Sequence, residues 1–176
     1  MEDIILTGPK HSGKTTVGKE LAALTDAPFF DLDDLVETAA KKSVRELYGE
    51  SPALFCRHES GALLAFLETQ HGVLAAGGGI IDNAAAVNLL RRASGATAII
   101  CIDVPVQCAW HRIASRTLPV FLQAASLEES REKHRVLHEN RMERYRRLAR
   151  FTVSGKNKTA REIAQAIADL LHIKSG

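Results

Sequence analysis

Residues 8 to 15 read Gly-Pro-Lys-His-Ser-Gly-Lys-Thr, and no other stretch limits the fold of this chain so strongly. The spacing is GxxxxGK[ST], with every fixed position filled. It follows "DIILTG", which reads as a strand ending at Gly8. It opens "GKTTVGKELAALT", which reads as a helix with Val17, Leu21 and Leu24 on one buried face. A glycine loop between strand and helix curls the backbone so that successive N–H groups point inward at an anion. The helix start adds its positive dipole end. Lys14 is placed to reach the β- and γ-phosphates of a nucleotide, and the Thr15 hydroxyl to ligate Mg²⁺.

The rest of the chain alternates short apolar runs with amphipathic stretches. "APFFDLD", "GVLAAGGG", "ATAIICIDV" and "RFTVSG" read as strands. Residues 33 to about 70 read as helical, broken near "YGESP". "DNAAAVNLLRRA" is a helix with Asp82 or Asn83 as N-cap, and "PVQCAWHRIA" starts a helix with Pro105 in its first turn. Ser126 and Glu129 open a long helix through Ala149, and "TAREIAQAIADLLHI" is the last one. "SRTLPVFLQAA" lacks periodicity and reads as a loop. Strands alternating with helices imply parallel strands joined by right-handed crossovers, hence a three-layer α/β/α domain. The 176 residues suit one domain, 1–176, with no repeat or linker to divide it. A net charge of +2 does not argue for nucleic acid or membrane. Three cysteines without CxxC spacing argue against a disulfide framework or zinc site and fit a reducing cytoplasm. No signal peptide or bilayer-spanning segment is read.

A phosphoryl donor needs an acceptor hydroxyl held in line, a group to orient it, and cations to spread the developing charge. Carboxyl ends of strands in open α/β sheets line the ligand crevice. Asp31, Asp33 and Asp34 fall at such an end in "FFDLDDL". Asp31 and Asp33 are two apart and point to one side, one placed to hold Mg²⁺ through water and the other to face the acceptor. Asp33 or Asp34 can also cap the next helix. Gly77, Gly78 and Gly79 after the third strand allow a ligand close to backbone N–H groups. Arg57 and Arg141 suit an anionic acceptor, since guanidinium forks onto carboxylate.

Taken in order, the P-loop with "TTVGKELA", "PFFDLDDLVE", "LFCRHES", "GVLAAGGGII" and "RMERYRRLARFTV" make the whole chain resemble the shikimate kinases. The resemblance implies ATP-dependent phosphorylation of the 3-hydroxyl of shikimate in the chorismate pathway of aromatic amino acid biosynthesis. It also implies a five-stranded parallel sheet of order 2-3-1-4-5 with a lid. By it, Gly8, Ser12, Gly13, Lys14, Thr15, Thr16 and Arg112 bind the nucleotide. Asp31 acts on Mg²⁺ through water, with Thr15. Asp33 contacts the shikimate hydroxyls and is the candidate base. Arg57 and Arg141 clamp the carboxylate, with Glu59 orienting Arg57. Gly77, Gly78 and Gly79 line the acceptor, whose region spans about 31–62. The lid, about 112–125, departs from the family's Arg-Pro-Leu-Leu: "TLPVFL" follows Arg116, the candidate lid arginine and third catalytic residue with Lys14 and Asp33.

Two alternatives stay open in the sequence: a kinase of this fold acting on another small hydroxylated metabolite, and a nucleotide-binding homologue without turnover. Trp110 and Phe121 read as packing residues. His134 and His138 read as a surface pair rather than metal ligands, because no third ligand is evident. "RMERYRRLAR" has five arginines in ten residues, yet glutamates interleave through the helix, so neither nucleic acid nor membrane is expected as a partner. The expected protein is a cytoplasmic monomer.

Overall fold

Apolar side chains alternating across short strands set the architecture. The structure, a computed structural model, describes residues 2–115, 118 and 122–173. β1 (Asp3–Thr7) is followed by α1 (Lys14–Thr25), β2 (Phe29–Asp31), α2 (Leu32–Ala40), α3 (Val44–Glu50) and α4 (Pro52–Thr69). Next come β3 (Val73–Ala75), a 3₁₀ turn (Ile80–Asp82), α5 (Ala84–Ala93), β4 (Thr97–Asp103) and α6 (Val106–Ala114). The last elements are α7 (Leu127–Leu148), β5 (Phe151–Ser154) and α8 (Ala160–Leu170). The strands form one sheet in the order β2-β3-β1-β4-β5, and every pairing is parallel.

Successive side chains of a strand point to opposite faces, so a central strand feeds two cores. Ile5, Leu74, Ile99 and Cys101 pack with Leu32, Val36, Leu63, Phe66, Leu90 and Tyr145 on one face. Ile4, Leu6, Val73, Ile100 and Ile102 pack with Val17, Leu21, Ala109, Ile163 and Ile167 on the other. Helices therefore cover both faces, in three layers. No helix of the described residues is long and apolar enough to cross a membrane.

Three local expectations need correction. The helical stretch after β2 breaks twice, not once. The extra break falls at Lys41, where φ is +53°, and Ser43 with Glu46 then closes a capping box on α3. The cap of α2 is Asp31, whose Oδ1 accepts from the Asp33 amide at 3.1 Å. Asp33 and Asp34 sit in the first turn instead. His134 and His138 are buried, not a surface pair. They lie in a stripe of α7 with Ser130, Met142 and Tyr145 that faces the body of the protein. His134 packs on Trp110 of α6, and His138 Nε2 donates to the Val104 carbonyl at 3.1 Å. Burial holds the His134 ring down at about 4. Trp110 is a packing residue, as its sequence suggests; Phe121 lies outside the described residues.

Candidate active site

The carboxyl ends of β1, β2 and β3 converge on one crevice. Between β1 and α1 the loop turns through Gly8 at φ +138°, a conformation that L side chains rarely adopt. A Cβ there would also meet the Ile102 carbonyl at 2.7 Å. Gly13, at φ +95°, caps α1. Ser12 and Lys14 are buried within the loop, while Thr15 and Thr16 are exposed at the helix start. Lys14 Nζ donates to the carbonyls of Gly8 (3.0 Å) and Pro9 (2.9 Å) and to Ser12 Oγ (3.4 Å). Burial lowers its ammonium to about 8, against the pull of Asp33 and Asp31. Arg112 Nη1 donates to the His11 carbonyl at 2.9 Å, which brings the end of α6 to the outer lip of the loop.

The end of β2 meets the same loop. Thr15 Oγ1 donates to Asp31 Oδ2 at 2.9 Å. Asp31 thus binds α2 through one oxygen and Thr15 through the other. The Asp33 carboxyl is raised above its ordinary value, first by burial and then by the negative charge of Asp31. Its Oδ1 points under the glycine loop, 3.2 Å from where a Cβ of Gly77 would stand.

The glycine loop touches the phosphate loop directly. A Cβ on Gly78 would lie 2.8 Å from both the Lys10 nitrogen and its Cα. Backbone cannot yield as a flexible side chain can, so Gly78→Ala drives the two loops apart. Displacement near 1 Å at a reacting centre costs on the order of 100-fold. We expect kcat/KM in Gly78→Ala to fall by about that factor. Steady-state kinetics checks it, and parental activity contradicts the close approach.

Arg141 reaches the loop from α7. Its guanidinium pairs with Asp82 through Nη2 (2.6 Å) and Nε (2.9 Å), and Nη1 donates weakly to the Gly78 carbonyl at 3.4 Å. Arg144 shares Asp82 at 2.6 Å and donates to the Ile81 carbonyl.

Glu59 is buried on α4, and its partner is not Arg57. Asn83 Nδ2 donates to Glu59 Oε2 at 2.9 Å, while Oε1 has no partner. Arg57 lies on the exposed side of α4, and its guanidinium forms no hydrogen bond or ion pair among the described residues. Residues two apart on a helix do not share a face, so the expected Glu59–Arg57 contact does not form.

Burial raises the Glu59 carboxyl to about 7, although the Asn83 hydrogen bond opposes the shift. A folded value above the ordinary 4.5 means that the folded state keeps a proton the unfolded chain releases. Stability is therefore lost as pH rises from 4.5 through 7. Glu59→Gln escapes that cost. At pH 8 we expect it to be more stable than the parent by on the order of 2–3 kcal/mol, with the gap closing towards pH 4. Calorimetric unfolding at the two pH values checks this; a gap independent of pH contradicts it.

The sequence profile of the shikimate kinase family matches residues 10–172. The chain belongs to the shikimate kinase family. The shikimate kinase of Caldanaerobacter subterraneus subsp. tengcongensis is 30% identical over 95% of this chain and 94% of that protein. The shikimate kinase of Acinetobacter baumannii, solved in complex with shikimate, superposes with a TM-score of 0.86 at 28% identity, over 98% of this chain and 93% of that one. That of Bacteroides thetaiotaomicron gives 0.81 at 25%, over 97% and 98%. The family uses ATP, and its sheet order is the one seen here.

Of the residues singled out in the sequence of this shikimate kinase family member, Gly8, Ser12, Gly13, Lys14, Thr15, Asp31, Asp33, Gly77, Gly78, Gly79 and Arg141 gather at one crevice, with Arg112 at its lip. Arg57 is exposed on α4 with no hydrogen bond or ion pair among the described residues, and Arg116 lies outside the described residues. Sequence reasoning missed Asn83 as the partner of Glu59, and Asp82 as the partner of Arg141. Asn83 was visible only as a helix cap, because its second contact lies 24 residues away on another helix.

Proposed function

We propose that this chain transfers the terminal phosphoryl group of ATP to the 3-hydroxyl of shikimate, giving shikimate 3-phosphate and ADP. The observation that carries this reading is the contact between the phosphate loop and the acceptor loop, Lys10 against Gly78, with Asp33 beneath it. The relative from Acinetobacter baumannii, solved with shikimate, supports the choice of acceptor. The family match runs through residues 112–125, so the altered lid does not favour another acceptor or a silent binding protein.

Phosphoryl transfer asks a protein mainly for positioning and charge. The backbone N–H groups of the loop from Lys10 to Thr15 and the α1 start cradle the phosphates. Lys14 leaves the loop carbonyls for the β- and γ-phosphate oxygens. Thr16 and Arg112 line the nucleotide. Asp33 orients the acceptor hydroxyl and takes its proton. Arg141 and Arg57 receive the acceptor carboxylate, and the amides of Gly77, Gly78 and Gly79 face the ring. Arg116 is assigned to the lid on sequence alone.

Mg²⁺ fits the residues present. The Thr15 hydroxyl and the Asp31 carboxylate are hard oxygen donors 2.9 Å apart at the phosphate loop. Mg²⁺ at nucleotide sites is held by one or two such groups, with waters and substrate phosphates completing the shell. When bound, the ion neutralises charge on the β- and γ-phosphates. The reading treats residues 1–176 as one catalytic unit acting as a monomer in the cytoplasm. The three cysteines, all free, suit that compartment.

The test is the product. Phosphorus NMR of the reaction with shikimate is expected to show one phosphomonoester coupled to the proton on carbon 3. Phosphate on another hydroxyl, or inorganic phosphate alone, overturns the assignment.

A further inference from the structure

Asp82 closes the 3₁₀ turn that follows the glycine loop, and its backbone is tied to that loop: the Asp82 amide donates to the Gly79 carbonyl at 2.9 Å. Its side chain has no capping duty, because Asn83 Oδ1 caps α5 by accepting from the Ala86 amide. The carboxylate stands instead between two arginines of α7 and gives each a different oxygen. Oδ2 accepts from Arg141 Nε at 2.9 Å and from Arg141 Nη2 at 2.6 Å. Oδ1 accepts from Arg144 Nη1 at 2.6 Å. The arginines are three apart on one helix and so share a face. Arg144 is held in turn by the Ile81 carbonyl.

A planar guanidinium offers a carboxylate two forks: a side fork of Nε and Nη2, and an end fork of Nη1 and Nη2. Asp82 takes the side fork of Arg141. Two observations say where the end fork points. Nη1 lies 3.4 Å from the Gly78 carbonyl, so it faces the glycine loop. Nη2 is the nearest atom to a Cβ placed on Gly79, at 3.8 Å, and apart from the chain neighbours no other atom of the described residues comes within 4 Å of that point. The gap beside Gly79 is therefore open, and the Arg141 side chain keeps 18% of its surface exposed. Two guanidinium charges against one carboxylate leave the trio net positive. Arg144 thus offsets Asp82, and Arg141 keeps its pull on an anion.

We propose that Asp82 is a positioning residue for the acceptor: by occupying the side fork of Arg141 it turns the end fork to the open gap beside Gly79, where the carboxylate of a cyclic hydroxy acid is received in one orientation. The inference rests on the reading of shikimate as acceptor. An arginine already held in its binding pose loses little freedom when the ligand arrives.

Lysine carries the same charge but has no fork to orient, and this gives the test. Asp82→Ala is expected to raise KM for shikimate about tenfold, the scale of immobilising one long side chain on binding, with KM for ATP unchanged. The Asp82 side chain is half exposed at the end of a turn, so alanine leaves the core untouched. Arg141→Lys alone costs about tenfold, since the fork is lost. In the double variant Asp82→Ala/Arg141→Lys the two losses are expected not to add: KM for shikimate stays within about threefold of Arg141→Lys alone.

A role confined to holding the turn or the glycine loop predicts the same loss from Asp82→Ala in both backgrounds, about 100-fold for the pair. That result, an unchanged KM for shikimate in Asp82→Ala, or an equal rise in KM for ATP overturns the inference alone. A parent enzyme that does not turn over shikimate overturns both the inference and the reading it rests on.

Discussion

Lys14→Ala is expected to lower kcat/KM by about 1,000-fold, near 4 kcal/mol of transition-state stabilisation. The side chain is buried, and its ammonium rests on the carbonyls of Gly8 and Pro9 and on Ser12 Oγ. These neutral partners hold the cation without cancelling it. Burial, which lowers its ammonium to about 8, shows that the folded loop bears a desolvation cost for that charge. Arriving phosphates offer the cation the opposite charge that the loop lacks. Alanine removes the charge together with its cost, so the thermal midpoint of the variant is not expected to fall. Activity and stability then part ways, as at sites built for function rather than for stability. In the parent, kcat/KM for ATP is expected to decline above about pH 8, where the free enzyme loses this proton. Saturating nucleotide keeps the group protonated, so kcat holds to higher pH. Initial rates from pH 7 to 9 check the pair of limbs. Near-normal turnover in Lys14→Ala would refute the phosphate loop as the donor site.

Arg141→Ala is expected to raise KM for shikimate about 100-fold and to change kcat much less. Arg141 stands at the glycine loop: its Nη2 lies 3.8 Å from where a Cβ of Gly79 would be. Asp82 grips one edge of the guanidinium, which fixes its plane and leaves the remaining donors for a carboxylate. A charge-assisted bidentate contact supplies roughly 1.5–3 kcal/mol, which matches the expected loss. Arg141→Lys keeps the charge and loses the fork, so about tenfold of the penalty remains. Arg144→Ala is the informative comparison. Arg144 shares Asp82 but spends its other donor on the Ile81 carbonyl, so its loss moves KM far less. Equal effects of Arg141 and Arg144 would reduce both to scaffold for the glycine loop.

Much of this site was legible because its chemistry is local. The phosphate loop declares itself in eight consecutive residues, and Asp31, Asp33 and the three glycines each stand at the end of an apolar run. The sheet was legible for the same reason: Ile4, Ile5 and Leu6 supply both faces of a central strand. What escaped was set by contacts distant in sequence, or by residues whose letters mislead. The buried face of α7 is made of Ser130, His134, His138, Met142 and Tyr145, at helical spacing but too polar to register as a core. Arginine and glutamate on the other faces hide it further. The break at Lys41 carries neither Gly nor Pro and is visible only in the backbone angle. Glu59 was matched to its neighbour in sequence, Arg57, whereas the fold gives it Asn83 from the turn after β3.

Donor and acceptor loops in contact are proposed to form one phosphotransferase site for shikimate. The most direct test is ADP release from MgATP by the purified protein, alone and with shikimate, quinate or gluconate. Slow release alone, strong stimulation by shikimate, and little by the other two are expected. Intact ATP binding with no stimulation by shikimate would contradict it.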